Sequence, residues 1–193
     1  MALTVDLETG RTAFVESVHE FVAAVDDLDE WSLLGASRCH GWTRLEVLVH
    51  VVAGWQEMLG GLVSPVDGPS TVDAASYWPA FDEQDAGDPL LELLAQRRRT
   101  TAYARPDSAR EQMHDVAEAV VRGATGCADG HHLWQRHVFT AGDFLAVWAV
   151  EDVIHQLDLL GERPPAPRAL ALARATLTEL DGASLADRLE GAD

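Results

Sequence analysis

The chain has no lysine, no asparagine, one isoleucine (Ile154) and two cysteines in 193 residues. All fourteen basic residues are arginine, against thirty-two acidic ones, for a formal net charge of -18. An acidic surplus of this size argues against nucleic acid and anionic membranes as partners, because both demand positive charge at the surface. No uncharged apolar run is long enough to span a bilayer, and no basic start leads into a hydrophobic segment. The expectation is a cytoplasmic protein with no membrane contact and no leader peptide. Cys39 and Cys127 lie far apart and fit neither a zinc-ribbon nor a C-x-x-C spacing, which reads as two free thiols in a reducing compartment. The missing lysine and asparagine match a high-GC genome and hence a bacterial, actinobacterial source, an inference from codon bias rather than chemistry.

What is present is mostly helical periodicity. Phe14, Val18, Phe21, Val22 and Val25 recur at three- and four-residue steps and predict a first helix from about Asp6 to Leu34. Thr43 and Glu46 form a capping-box pattern, and Trp42 with Val47 a hydrophobic staple, so a second helix is predicted from about Arg44 to Leu59, stopped by Gly60-Gly61. Residues 62–87 read as a long loop holding Tyr77, Trp78 and Phe81. Asp88-Pro89 opens a further helix to about Ala104. Ser108 with Glu111 suggests a second capping box and a helix to about Arg122, so 88–122 is one kinked helix or two. Residues 123–142 look irregular, with an extended piece at 133–139. A helix from about Asp143 to Leu160 and a last one from about Arg168 to Leu180 complete the chain. The fold expected is all-α: an up-and-down four-helix bundle over residues 1–163, and a C-terminal helical extension over 164–193 with no second domain.

The segment Ala149-Val-Glu-Asp-Val-Ile-His-Gln-Leu-Asp-Leu-Leu160 carries charge inside an oily helix. At about 100° per residue, Phe144, Val147, Trp148, Glu151, Ile154, His155 and Asp158 share a wedge of roughly 120°. An unpaired carboxylate in that stripe would cost several kcal/mol, so it must be neutralised, hydrogen-bonded or metal-bound. Glu151 and His155 are four apart and one ion can meet both. Asp158, one turn on, can orient the His155 ring. A Glu–His hydrogen bond within the bundle is an equally good account, and a metal site needs a third ligand from elsewhere. His50 offers one. Its angle places it away from the apolar line Leu45, Leu48, Val52 and Leu59, which alone reads as a surface histidine; Ala53 and Gly54 nearby leave room for a ligand.

Two elements resemble a known family. The stretch Ser37-Arg-Cys-His-Gly-Trp-Thr-Arg-Leu-Glu-Val-Leu-Val-His50 is similar to the G-W-T/S…H element of the mycothiol-dependent maleylpyruvate isomerase amino-terminal domain. The stretch Gly142-Asp-Phe-Leu…Glu151-Asp-Val-Ile-His155-Gln-Leu-Asp158-Leu resembles its E-x-x-x-H-x-x-D-L element. The order is the same and the resemblance spans about residues 8 to 163. It implies a DinB-like bundle with a divalent metal, usually zinc, held by His50, Glu151 and His155, with Asp158 behind them. Two departures stand out: Arg38 and His40 flank Cys39 where the family commonly has prolines, and only about thirty residues follow Pro164, too few for the family's second domain.

Two imidazoles and a carboxylate leave coordination positions open, as in a catalytic site. The resemblance implies mycothiol as the thiol, activated by the metal for S-transfer to, or isomerisation of, a small electrophile. A non-catalytic bundle that binds a metal or small molecule is the alternative, and a scaffold that forms a homodimer through its last helix is a third. Other residues have plainer accounts. Cys39 beside His40 reads as an idle thiol, since no third group to orient the pair is evident. His131, His132 and His137 read as a loop cluster, and Trp42, Trp55, Trp134 and Trp148 as core. Arg97-Arg98-Arg99 reads as a solvated helix face.

Overall fold

Asp6 accepts a hydrogen bond from the Thr9 amide and starts α1, Leu7–Asp26, the first long helix of the computed structural model, which describes residues 3–84 and 88–181. The expected helix to Leu34 is broken. Asp29 caps a new short helix α2, Glu30–Leu33, by accepting from the Ser32 amide, and so ends the continuous run. Thr43 and Glu46 form the expected capping box at the start of α3, Arg44–Leu62. Gly60 and Gly61 do not stop this helix; both lie inside it.

The segment expected to be a loop contains β1, Pro65–Val66, and α4, Tyr77–Gln84. Asp88 caps α5, Pro89–Thr100, with Pro89 in the first turn. Helix α6, Pro106–Gly126, is separate from it, so 88–122 holds two helices. It starts at Pro106, whose fixed φ suits the first helical position, and Ser108 lies inside the helix rather than capping it. The supposedly irregular region is a hairpin of β2, His131–Trp134, and β3, His137–Thr140. Its two-residue turn has Gln135 and Arg136 both at positive φ, 46° and 66°, the backbone that matches strand twist in a tight hairpin. The sheet order is β1-β2-β3, all antiparallel, with Trp134 paired to His137 and Pro65 to His132.

Thr140 caps α7, Ala141–Asp158, and α8, Pro167–Asp181, closes the described chain. The tail expected beyond α8 lies outside the described residues. Four long helices, α1, α3, α6 and α7, make an up-and-down bundle; α8 packs on α7 and α1 as the additional helix. Phe14, Phe21, Leu48, Trp55, Met58 and Phe144 are fully buried at its centre. Each such side chain contributes about 1.5–3 kcal/mol of burial.

Helix α7 is the innermost. Ala141 to Val150 are all buried, so the angular wedge does not mark one inward face there. Its backbone meets α1 closely: a Cβ on Gly142 would lie 2.1 Å from the Val5 carbonyl oxygen, and one on Gly10 would lie 2.4 Å from that of Gly142. Among the described residues no helix is long and apolar enough to cross a membrane.

Candidate functional site

In the second half of α7 buried and half-buried positions alternate, so that Glu151 and His155 are half-buried while Asp152 and Asp158 are buried. Glu151 and His155, one turn apart, project together, and Nε2 of His155 lies 3.1 Å from Oε2 of Glu151. The other ring nitrogen, Nδ1, lies 3.1 Å from Oδ2 of Asp158. From α3, His50 completes the group. Its ring stands edge-on to His155 at 4.7 Å between centroids, and Trp42 covers its other side at 5.2 Å.

One donor atom each from His50, Glu151 and His155 can lie within 4.8 Å of the other two. Donors around a tetrahedral zinc ion sit about 3.4 Å apart, so small rotations suffice to bring this trio onto one cation. Two nitrogens and a carboxylate oxygen are also a donor set suited to zinc. The angular reading of His50 as a surface residue is therefore corrected. Helix α3 is buried from Leu45 to Val49 without a break, so it has no single inner stripe from which His50 could be excluded.

The electrostatics separate the two histidines. Burial, helped by the nearby His155, depresses the pKa of His50 to about 4, so this ring is neutral and keeps a lone pair at physiological pH. Burial also works against a charged His155, but hydrogen bonds to Asp158, Cys39 and Glu151 outweigh it and raise its pKa well above the ordinary value. For Glu151 burial pushes the carboxyl up, and the His155 hydrogen bond and charge bring it below its usual range.

Beside the trio opens a cavity of about 240 Å³. Ala53 and Gly54 line it below His50, as their small size suggested. Trp134 from the hairpin, Phe81 and Tyr77 from α4, and Trp55 and Trp148 from the bundle supply its aromatic wall. Trp134 and Trp148 stand 4.9 Å apart, so these tryptophans serve the core and the cavity at once.

Over residues 14–160 the sequence matches the model of the family described as Mycothiol maleylpyruvate isomerase N-terminal domain. The chain belongs to this family. The matched span includes His50, Glu151, His155 and Asp158. Among solved structures it is similar to the mycothiol-dependent maleylpyruvate isomerase, at 15% identity and a TM-score of 0.64, over 91% of this chain and 72% of that one. A histidine-to-alanine mutant of that isomerase gives 14% identity and a TM-score of 0.62, over 90% and 70% of the two chains. At these identities the likeness shows the fold, which is of the DinB-like type. No curated protein matches the chain.

Several residues of this family member carry more than their sequence suggested. The loop before α3 is tied to the end of α7. The Arg38 amide, which a proline would lack, donates to the Asp158 carbonyl at 2.9 Å. The Cys39 thiol donates to Oδ2 of Asp158 at 3.1 Å. Cys39 thus has an orienting partner after all, though it is Asp158 and not the adjacent His40. Cys39, His155 and Asp158 form a second group whose donor atoms lie within 4.8 Å. Both cysteines are free thiols.

Asp152 carries no signal in the sequence. It lies in the interior, accepting from Trp55 Nε1 at 2.8 Å with its Oδ2 in hydrogen-bond contact with Ser17 Oγ at 2.7 Å, and it lines the cavity wall. Arg97, Arg98 and Arg99 are all exposed, as a solvated helix face requires, and Arg99 lines the cavity as well. His131, His132 and His137 belong to the hairpin rather than a loop, with His132 stacked on Phe144 and its Nδ1 3.2 Å from the Gly61 carbonyl. Helical periodicity could not reveal Arg99 or Gln135, because the elements that carry them meet the cavity only through tertiary packing.

Proposed function

We propose that the protein is a metal-dependent, thiol-using enzyme in which His50, Glu151 and His155 hold one divalent cation, zinc by its donor set, beside the cavity that receives mycothiol and a small electrophile. The observation that carries this reading is the convergence of three donors from α3 and α7 at that cavity, within a span matched by the isomerase family. The solved relatives are named as a mycothiol-dependent isomerase, which supports mycothiol as the thiol.

A cation held there would supply positive charge that favours the thiolate form of an incoming thiol. The chain's own groups do the rest. His50 offers a neutral imidazole, because burial holds its proton off. Asp158 takes the Nδ1 side of His155 and so turns Nε2 toward Glu151 and the site. The aromatic wall keeps bulk water from the reacting sulfur. The sulfur attacks an electron-poor carbon of the electrophile and forms a C–S bond. In S-transfer a leaving group departs with its bonding pair. In isomerisation the attacked double bond opens, rotates, and re-forms as the sulfur leaves. Both outcomes share the first step. The bundle of residues 1–163 is the working unit in this proposal, with 164–193 as its extension.

Protein purified without chelator or affinity tag is expected to contain about one equivalent of a divalent metal, lost in Glu151→Gln and His155→Ala. Incubated with mycothiol and monobromobimane or chlorodinitrobenzene, it should form conjugate faster than the uncatalysed reaction, and chelation should abolish the difference. Stoichiometric metal that survives both substitutions would overturn the site. No rate above background with any electrophile would leave a binding bundle in place of an enzyme.

A further inference from the structure

The three consecutive arginines of α5 differ in what they touch. Arg97 donates to the Gly41 carbonyl at 3.1 Å and lies 3.5 Å from Oε1 of Glu46. Arg99, though exposed, also lines the cavity. Its Nη1 donates to Oε1 of Gln96 at 2.7 Å, and Nε2 of Gln96 donates in turn to the Glu46 carbonyl at 2.6 Å. Gln96 is only 2% exposed and is the one fully buried residue of a helix whose other side chains are half-buried or exposed. A buried amide spent at both ends is a bracket: it fastens the guanidinium to the backbone of the helix that carries His50.

Among the residues whose side chains are described, no carboxylate lies within ion-pair distance of Arg99, although the chain carries thirty-two acidic residues against fourteen arginines. With Nη1 held by Gln96, the remaining N–H groups of its planar fork are left for another acceptor. Gln135 lines the same cavity from the hairpin turn. The Tyr77 hydroxyl donates to its Oε1 at 3.0 Å, which leaves its amide nitrogen to donate.

We propose that Arg99, positioned by Gln96 and assisted by Gln135, is the charge-selecting residue of this cavity and binds a carboxylate carried by the electrophile. Net charge does not do this, because Glu57 and Glu151 also line the cavity. Selection comes from the directed guanidinium–carboxylate bonds. The assignment rests on the thiol-and-electrophile reading above, and the test separates the two.

The matched pair 4-chloro-3-nitrobenzoate and 4-chloro-3-nitrobenzamide differs in charge and little in size. With mycothiol, sulfur forms a bond to the chlorine-bearing ring carbon, the C–Cl bond breaks, chloride leaves with the bonding pair, and the thiol proton passes to solvent. Relative to the uncatalysed rates, kcat/KM should favour the benzoate by about fivefold or more. Arg99→Gln should erase that preference by slowing the benzoate about fivefold more than the benzamide, and Arg98→Gln, on the same helix, should leave it intact. Binding is read without thiol or turnover by quenching of tryptophan fluorescence: Arg99→Gln should weaken the benzoate about fivefold more than the benzamide. A binding preference without turnover upholds Arg99 while the enzymatic reading falls. Turnover with no charge preference, or a preference unchanged in Arg99→Gln, overturns the assignment of Arg99 and leaves the enzymatic reading standing.

Discussion

At the scale of single residues, Asp152 has the clearest energetic consequence. Ser17 Oγ is within hydrogen-bond distance of both the Phe14 carbonyl and Oδ2 of Asp152, yet a hydroxyl has one proton to give. A protonated Asp152 resolves the conflict by donating to Ser17, which then donates to Phe14. Burial accordingly raises its pKa to about 7, against the opposing hydrogen bonds from Ser17 and Trp55. The folded protein therefore binds this proton over a range where the unfolded chain has released it. Its contribution to stability is best below the ordinary carboxylate range, falls as pH rises, and is fully lost above about pH 7. Asparagine can mimic the neutral acid, donating to Ser17 and accepting from Trp55. In chelated protein, Asp152→Asn should flatten the stability profile between about pH 4 and 7 and gain about 1–3 kcal/mol at pH 8. Denaturant melts across that range check it; parallel profiles for the two proteins would refute the argument. Glu151 and His155 were legible in the sequence because four-residue spacing forces them together, and Asp158 because it follows one turn later. Asp152 was not, since adjacency to Glu151 says nothing about Ser17 and Trp55, which come from distant helices.

At the scale of elements, two adjacent glycines show why local punctuation misled. Read as a stop signal, Gly60-Gly61 is continuous helix, and the two positions have opposite surroundings. A Cβ at Gly60 meets nothing within 4 Å, whereas one at Gly61 would lie 2.5 Å from Cζ of Phe144. Gly61 is there so that α3 can approach α7 and the hairpin. Gly60→Ala should stabilise the protein by about 0.5–1 kcal/mol through helix propensity. Gly61→Ala should destabilise it by about 1–3 kcal/mol, as Phe144 is pushed from its place. Thermal or denaturant melts of the pair give the comparison; changes of the same sign would show that backbone propensity, not packing, governs both sites. The capping box of α3 was readable because all its parts lie within four residues. The hairpin was not: its turn is Gln135-Arg136, without the glycine or asparagine that normally announces two residues at positive φ. That missed turn is also what brings Trp134 and Gln135 to the cavity.

At the scale of the whole molecule, the composition sets a charge problem that the fold does not remove. Thirty-two acidic residues face fourteen arginines, and several of those arginines are committed to exposed pairs such as Arg105 with Glu30 and Arg163 with Asp27. Exposed pairs of this kind are worth at most about 1 kcal/mol each, and salt weakens them. The surplus of -18 is carried by a chain of only 193 residues, where repulsion acts over distances comparable to the screening length of about 10 Å at 0.1 M salt. Screening therefore acts on two opposed contributions, and the larger is the repulsion that folding concentrates. Raising sodium chloride from about 0.05 to 0.5 M should lift the melting temperature by a few degrees, on the order of 1 kcal/mol for a chain of this length. Sodium chloride is the right salt, because sulfate would stabilise through exclusion from the surface whatever the charge. A melting temperature that falls with sodium chloride would mean that the pairs joining α1, α2, α6 and the 163 turn hold the bundle more firmly than its excess charge drives it apart.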